Sequence, residues 1–357
     1  MKDRFESKLG ECGQKCPRSV AWRASLLLLV VAFALLPGCK RGKGRVLETM
    51  YVSAPQVFLR DRVAPVYNKV GNVKNGDRVD VLDRDRRFIK VRTASGVEGW
   101  IEQRYLVAQS IFDGFQKLKA DHQNDPVQAM GTTRNDTNLH IEPGRETEHL
   151  YQLVSGSKVA LLRRGVAEKP GAAAPAASPA KKDSKDSKPA GPALEDWWLV
   201  RDDQQHVVGW VLGRMVDLDV PLEIAQYAEG QRFVGFFALN EVADGDKKVP
   251  QYLAIITPPK DGLPFDFDQV RVFTWNVRRH RYETAYREHG LNGVLPVTVT
   301  HETFDKEGDL PVFVLRVKDD SGQILERKYK LNTPIVRRVL APGEQPAART
   351  AGRKKRK

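Results

Sequence analysis

At 357 residues with 41% hydrophobic side chains, the chain has room for two or three domains and is too apolar on average to be disordered throughout. Three cysteines in that length exclude a disulfide-stapled scaffold. Basic residues outnumber acidic ones by 58 to 45, a net charge of +13 that favours acidic neighbours over basic ones.

Residues 1–39 have the layout of a targeting segment. Lys15, Arg18 and Arg23 precede an apolar run from Ser25 to Leu36. A bilayer span needs roughly 20 residues, and this run has the length of a signal-peptide h-region instead. It ends in Leu36-Pro37-Gly38-Cys39. That ending resembles the lipobox of bacterial lipoproteins, with Pro37 as an unusual middle residue. The resemblance implies cleavage before Cys39, lipidation of that cysteine and attachment to a membrane through the lipid. An ordinary signal peptide, or a signal anchor with a chance cysteine, is the competing reading, and a start near Val20 would shorten the leader. Cleavage would remove Cys12 and Cys16 and leave neither a disulfide nor a thiol nucleophile. The first 38 residues hold six basic and three acidic residues, so the remainder carries +10. Phospholipid headgroups, anionic glycans or acidic proteins suit such a charge, and nucleic acid is not expected for an exported chain. Residues 40–52, opening K-R-G-K-G-R, read as a tether. Lys40 in place of aspartate after the cysteine implies, by the same resemblance, a periplasm-facing anchor in the outer rather than the inner membrane.

Residues 53–107 form a first module. Val57–Leu59 opens it, an irregular stretch with Pro65 follows, and Asn75-Gly76 signals a turn. Arg78–Asp83 alternates as a half-buried strand, Phe88–Thr93 is a second, Ser95-Gly96 turns the chain, and Gly99-Trp100-Ile101 is a third. Five or so short strands in so few residues can cover their edges only by curling into a small barrel. K-N-G-D-R-V-D-V-L, then F-I-K-V-R, G-V-E-G-W-I and Y-L, resemble in order and spacing a bacterial SH3-type domain over Val57–Leu106. The resemblance implies an SH3-like barrel with Val79, Val81, Val91, Ile101 and Leu106 in its core.

Apolar residues Val107, Ile111, Phe112, Phe115 and Leu118 stand at helical spacing, which predicts a helix packing back on the first barrel within a linker, residues 108–131. A second copy of the module spans 132–217. Leu139 follows Leu59 by 80 residues and Gly156 follows Gly76 by 80. Trp197-Trp198-Leu199-Val200-Arg201 repeats Phe88–Arg92 at 109 residues instead, leaving an insert of 29. Gly209-Trp210-Val211 then repeats Gly99-Trp100-Ile101. The insert, residues 166–194, is rich in Ala, Pro, Lys and Ser and reads as a disordered loop.

Residues 218–341 form a third region. Arg232–Leu239, Gln251–Thr257, Val270–Trp275, Arg281–Glu288, Val297–Thr303, Val312–Val317 and Ile324–Leu331 read as seven strands, which predicts a β-sandwich-like domain or an open barrel. Residues 342–357 are a basic disordered tail ending R-K-K-R-K. The fold class expected for the whole is all-β: two tandem SH3-like barrels, a short helix between them, and the C-terminal β domain.

No catalytic or metal-binding set stands out. H-E-x-x-H, C-x-x-C, G-x-S-x-G and the phosphate-binding Walker loop are missing, and the seven histidines are scattered. His289, His301, Glu302, Asp305, Glu307 and Asp309 read as solvated side chains around turns. No cofactor is implied. Binding is the better expectation, since aromatic rings offer contact area at low entropic cost. By the resemblance, Phe88 and Tyr105 in the first module, and Trp197 and Met215 in the second, face a ligand groove flanked by Trp100 and Trp210. The competing reading is that these residues only pack against neighbouring domains. The first module carries V-A-P-V-Y-N-K where eukaryotic SH3 domains carry an acidic, tyrosine-rich loop, which argues against proline-rich ligands. The function expected is a lipid-anchored cell-envelope binding or scaffold protein that recognises peptidoglycan peptides or a protein partner. The alternative is a cell-envelope hydrolase with an unrecognised catalytic C-terminal domain.

Overall fold

The computed structural model describes residues 45–171 and 192–340. The expected signal peptide, Cys39, the start of the tether, most of the insert and the basic tail lie outside the described residues. Within them the protein is nearly all β, and no helix is long and apolar enough to cross a membrane.

The first module is one antiparallel sheet of seven short strands: β1 (Glu48–Val52), β2 (Gln56–Arg60), β3 (Lys69–Lys74), β4 (Arg78–Asp85), β5 (Phe88–Thr93), β6 (Glu98–Glu102) and β7 (Leu106–Ala108). Their order is β3-β2-β6-β5-β4-β1-β7. β1 and β3 are additions to the sequence reading, β3 lying in the stretch expected to be irregular. Residues 48–52, expected as tether, form β1 between β4 and β7, because Met50, Tyr51 and Val52 are apolar and bury. The ladder does not join β3 to β7, so this is a curled sheet rather than a barrel closed by hydrogen bonds. Side chains bring its ends together. Leu59 and Val73 from one end share a core with Val52 and Leu106 from the other, around Val79, Val81, Ile89, Val91 and Ile101. Each such aliphatic side chain contributes about 1.5–3 kcal/mol on full burial.

The second module repeats the plan with β8 (Ala129–Thr133), β9 (Thr137–His140), β10 (His149–Leu153), β11 (Lys158–Glu168), β12 (Leu194–Asp202), β13 (Val207–Leu212) and β14 (Val216–Leu218). The order β10-β9-β13-β12-β11-β8-β14 is the same permutation as in the first. The long β11–β12 hairpin still pairs Val166, Ala167 and Glu168 with Asp196, Glu195 and Leu194, so the expected loop is shorter at both ends. Between the modules lies α1 (Gln109–His122). It packs on both neighbours rather than only the first: Phe112 stacks on Tyr51 at 4.0 Å, and Phe115 meets Tyr151 edge-on at 5.4 Å.

The third region opens with a one-turn helix, α2 (Leu222–Ala225), and continues as β15 (Arg232–Asp244), β16 (Lys247–Thr257), β17 (Phe267–Asn276), β18 (Arg281–Phe304), β19 (Gly308–Lys318), β20 (Ile324–Asn332) and β21 (Ile335–Val339). These pair in chain order as one seven-stranded meander, not as two separate sheets. Two expected strands merge into β18, whose first half pairs with β17 and second half with β19 across a register break at Val294/Thr298. β21, largely exposed, lies beyond the seven expected strands. Both faces of β16 and β17 are covered: Leu253, Ile255, Val270 and Val272 join the main core, while Tyr252, Ala254, Ile256 and Phe273 pack against Ile224 of α2. Alternation is therefore hidden in these strands, which read as continuous apolar runs.

The cores are shared unevenly. One continuous cluster runs from Leu139, Leu161 and Val211 of the second module into Leu253, Phe313 and Leu331 of the third region. The first module keeps its own, and of its buried residues Tyr51 alone joins the large cluster.

Candidate functional site

Each module opens a groove between its second strand and the turn after its sixth. In the first, Gln56, Phe58 and Arg60 of β2 face Glu102 and Tyr105, with Tyr67 from the following loop. In the second, Asp136, Asn138 and His140 on and before β9 face Leu212, Arg214 and Met215. Position by position these match: Arg60 and His140 lie 80 residues apart, Tyr105 and Met215 110. Two independent copies thus leave the same place unfilled.

The glycine of each Gly-Trp pair explains why. A Cβ on Gly99 would sit 2.7 Å from Leu59 Cβ, and one on Gly209 2.8 Å from Leu139 Cβ. The glycines let the sixth strand press against the second, which sets the groove's floor. The tryptophans themselves turn away. Trp100 and Trp210 line neither groove, and Trp210 packs instead over Gly165 and Pro143.

Of the residues expected to meet a ligand, Tyr105 and Met215 line the grooves and are half-buried. Arg104 lies over the Tyr105 ring at 4.7 Å and donates to its hydroxyl at 2.7 Å. Phe88 and Trp197 are 5% and 2% exposed, so their first role is structural. Trp197 forms one wall of the second groove edge-on to His140 at 5.2 Å, and its indole N–H has no acceptor among the described residues. Phe88 does not reach the first groove. It lines an adjoining cleft of about 500 Å³ with Arg60, Arg86, Arg87 and the Val63-Ala64-Pro65 loop.

Electrostatics separate the two sites. In the first module the Arg60 guanidinium stands over Tyr67 at 4.2 Å and Phe88 at 5.0 Å and donates to Glu102 at 3.3 Å. The loop beneath is pinned by Asp61, which accepts from Arg62 at 2.9 Å and from the Asn68 backbone at 2.9 Å. Those bonds, Arg62 first, bring its carboxyl down to about 2. In the second module His140 replaces the arginine. Its Nδ1 lies 3.0 Å from the Thr147 carbonyl, so the neutral ring donates there and Nε2 keeps its lone pair. Burial pushes the imidazole below the ordinary histidine value. Arg145 on the rim is forked onto Glu195, whereas Arg214 has no ion-pair partner among the described residues.

These are polar, aromatic-walled grooves suited to holding an extended chain. The arginines, His140 and Tyr67 escaped the sequence reading. The 80-residue offset that aligned the leucines also aligns Arg60 with His140, and would have marked both. Among the described residues no group of three or more His, Cys, Asp or Glu could hold a metal ion.

Residues 56–107 match the bacterial SH3 domain family, which bears out the resemblance for the first module. No curated protein matches the chain. Similar solved structures include an NlpC/P60 family protein from Bacillus cereus ATCC 10987, at 11% identity and a TM-score of 0.22. That match covers 55% of this chain and spans only 65% of the other. NlpC2 from Trichomonas vaginalis matches at 10% identity and a TM-score of 0.16, covering 82% of this chain and 95% of its own. Scores of that size place neither a fold nor an activity on this chain.

Proposed function

We propose that the protein is a lipid-anchored binding or scaffold protein of the cell envelope, with SH3-like modules that recognise peptidoglycan peptides or an envelope protein. The observation that carries the binding role is the recurrence of one unfilled groove at matching positions of two modules. Both grooves open to solvent and, at about 330 Å³ in the first module and 250 Å³ in the second, have room for part of an extended chain. The groove walls combine half-buried rings with guanidinium groups, the usual means of holding a polar chain at low entropic cost. The anchor rests on the leader and Cys39 alone.

Sedimentation of the full chain with purified peptidoglycan tests the wall-binding version. We expect enrichment in the pellet that falls several-fold in a Tyr105→Ala, Arg214→Ala double variant. Both side chains are partly exposed, so the variant keeps its fold. No enrichment over a soluble control would sink this version, and release of soluble fragments from the wall would replace it with the hydrolytic one. Palmitate labelling lost on Cys39→Ala is the expected result for the anchor.

A further inference from the structure

The β4–β5 turn of the first module and the β11–β12 hairpin of the second occupy equivalent places, because Phe88 corresponds to Trp197. The residues just before them therefore correspond too: Arg86 with Glu195, and Arg87 with Asp196. The charge is reversed at both positions. In the second module both carboxylates are buried and used. Glu195 takes Arg145. Asp196 takes Arg164 at 2.5 Å, Arg232 of the third region at 2.7 Å and the Gly262 N–H at 2.8 Å. That end of the second module is a charged seat for a neighbouring domain.

In the first module the same place is exposed. Arg87 lies over the Phe88 ring at 5.5 Å, and neither Arg86 nor Arg87 has an ion-pair partner among the described residues. With Arg60 they line the cleft beside Phe88, and no carboxylate lines it. The opposite wall, Val63-Ala64-Pro65, is apolar. This module also keeps a core of its own, whereas the second is fused to the third region. We propose that the cleft between the 61–68 loop and the β4–β5 turn docks an acidic segment of a partner protein. Its carboxylates pair with Arg86 and Arg87, and an apolar side chain lies against Val63 and Pro65. The occupant is a peptide rather than a lipid surface because the cations flank a concave cleft whose other wall is apolar, with Val63 and Ala64 half-buried, a shape that a side chain enters and a flat headgroup surface does not. The equivalent place in the second module is already filled by carboxylate–guanidinium pairs between domains. This inference rests on the reading of the first module as a recognition module.

The test is fluorescence anisotropy of the full chain with a short labelled peptide alternating glutamate and leucine. The glutamine–leucine counterpart and phosphatidylglycerol vesicles are the other arms. We expect binding that weakens with salt and drops roughly tenfold or more in the Arg86→Glu, Arg87→Glu pair. Arg86→Lys with Arg87→Lys should retain most of it, and Arg278→Glu on a distant hairpin should leave it unchanged. Equal affinity for the glutamine peptide, or for the charge-reversed pair, overturns the proposal. So does vesicle binding through these arginines without peptide binding. Failure of the acidic peptide with wall sedimentation intact sinks this inference alone, and loss of both sinks the recognition role as well.

Discussion

Gly99 and Gly209 show how much one absent methyl group decides. Each lets the sixth strand of its module lie against the second, and each is buried. A Gly99→Ala variant should lose about 1–3 kcal/mol by overpacking against Leu59, seen as a lower urea midpoint. An unchanged midpoint would mean that the strands have slack. Phe88 and Trp197 carry the opposite lesson. Their aromatic character was legible in the sequence and suggested ligand contact, but at 5% and 2% exposure their truncation reports on stability before binding. Tyr105 was legible in both senses. Arg86 and Arg87 were not, because a pair of arginines in a turn has the composition of any solvated loop.

At the scale of elements, the junction between the second module and the third region hangs on Gln128. Its side-chain Oε1 accepts from the Val297 N–H at 2.8 Å and its Nε2 donates to the Val297 carbonyl at 3.2 Å. Its backbone carbonyl accepts from the Phe236 N–H at 3.0 Å. A fully buried amide here imitates a strand and pairs with β18. Gln128→Ala strands two buried backbone groups at about 1–3 kcal/mol each, so we expect a loss of about 2–6 kcal/mol by chemical denaturation. A loss below about 1 kcal/mol would show that water replaces the amide. The periodicity of residues 127–133 gives no sign of this pairing, since nothing local distinguishes a buried glutamine from a surface one.

Across the whole molecule the Arg164–Asp196–Arg232 cluster joins the β11–β12 hairpin to the third region. Arg164 is 3% exposed and also donates to Asp266 at 3.2 Å and to the carbonyls of Leu263 and Phe265. Burial alone would raise the Asp196 pKa; the Arg164 guanidinium, the Gly262 N–H and Arg232 outweigh it and hold the carboxyl below the usual range. A depressed folded-state pKa stabilises above the unfolded value and fades as pH falls through the folded one. The joint should therefore hold at neutral pH and weaken below about pH 4. Asp196→Ala, which leaves Arg164 short of its main counter-charge, should cost about 3–5 kcal/mol at pH 7. It should also flatten the acid limb of a stability–pH profile. An unaltered acid limb would assign that limb to other carboxylates.

Repeats and alternation are legible from the residues alone. They point to an all-β chain, a first module with the spacing of a bacterial SH3 domain, a second copy at an 80-residue offset, and a helix between them. These follow from local rules: side-chain period, turn glycines and register. Long-range contacts are what make Met50–Val52 complete a sheet, let β18 serve two partners as one strand, and join the core of the second module to that of the third region. They also decide which of two equivalent turns is buried and which is open. Those outcomes depend on residues distant in sequence meeting across an interface. A charge that pairs with a partner domain and one left for solvent look the same until the fold brings the partner close.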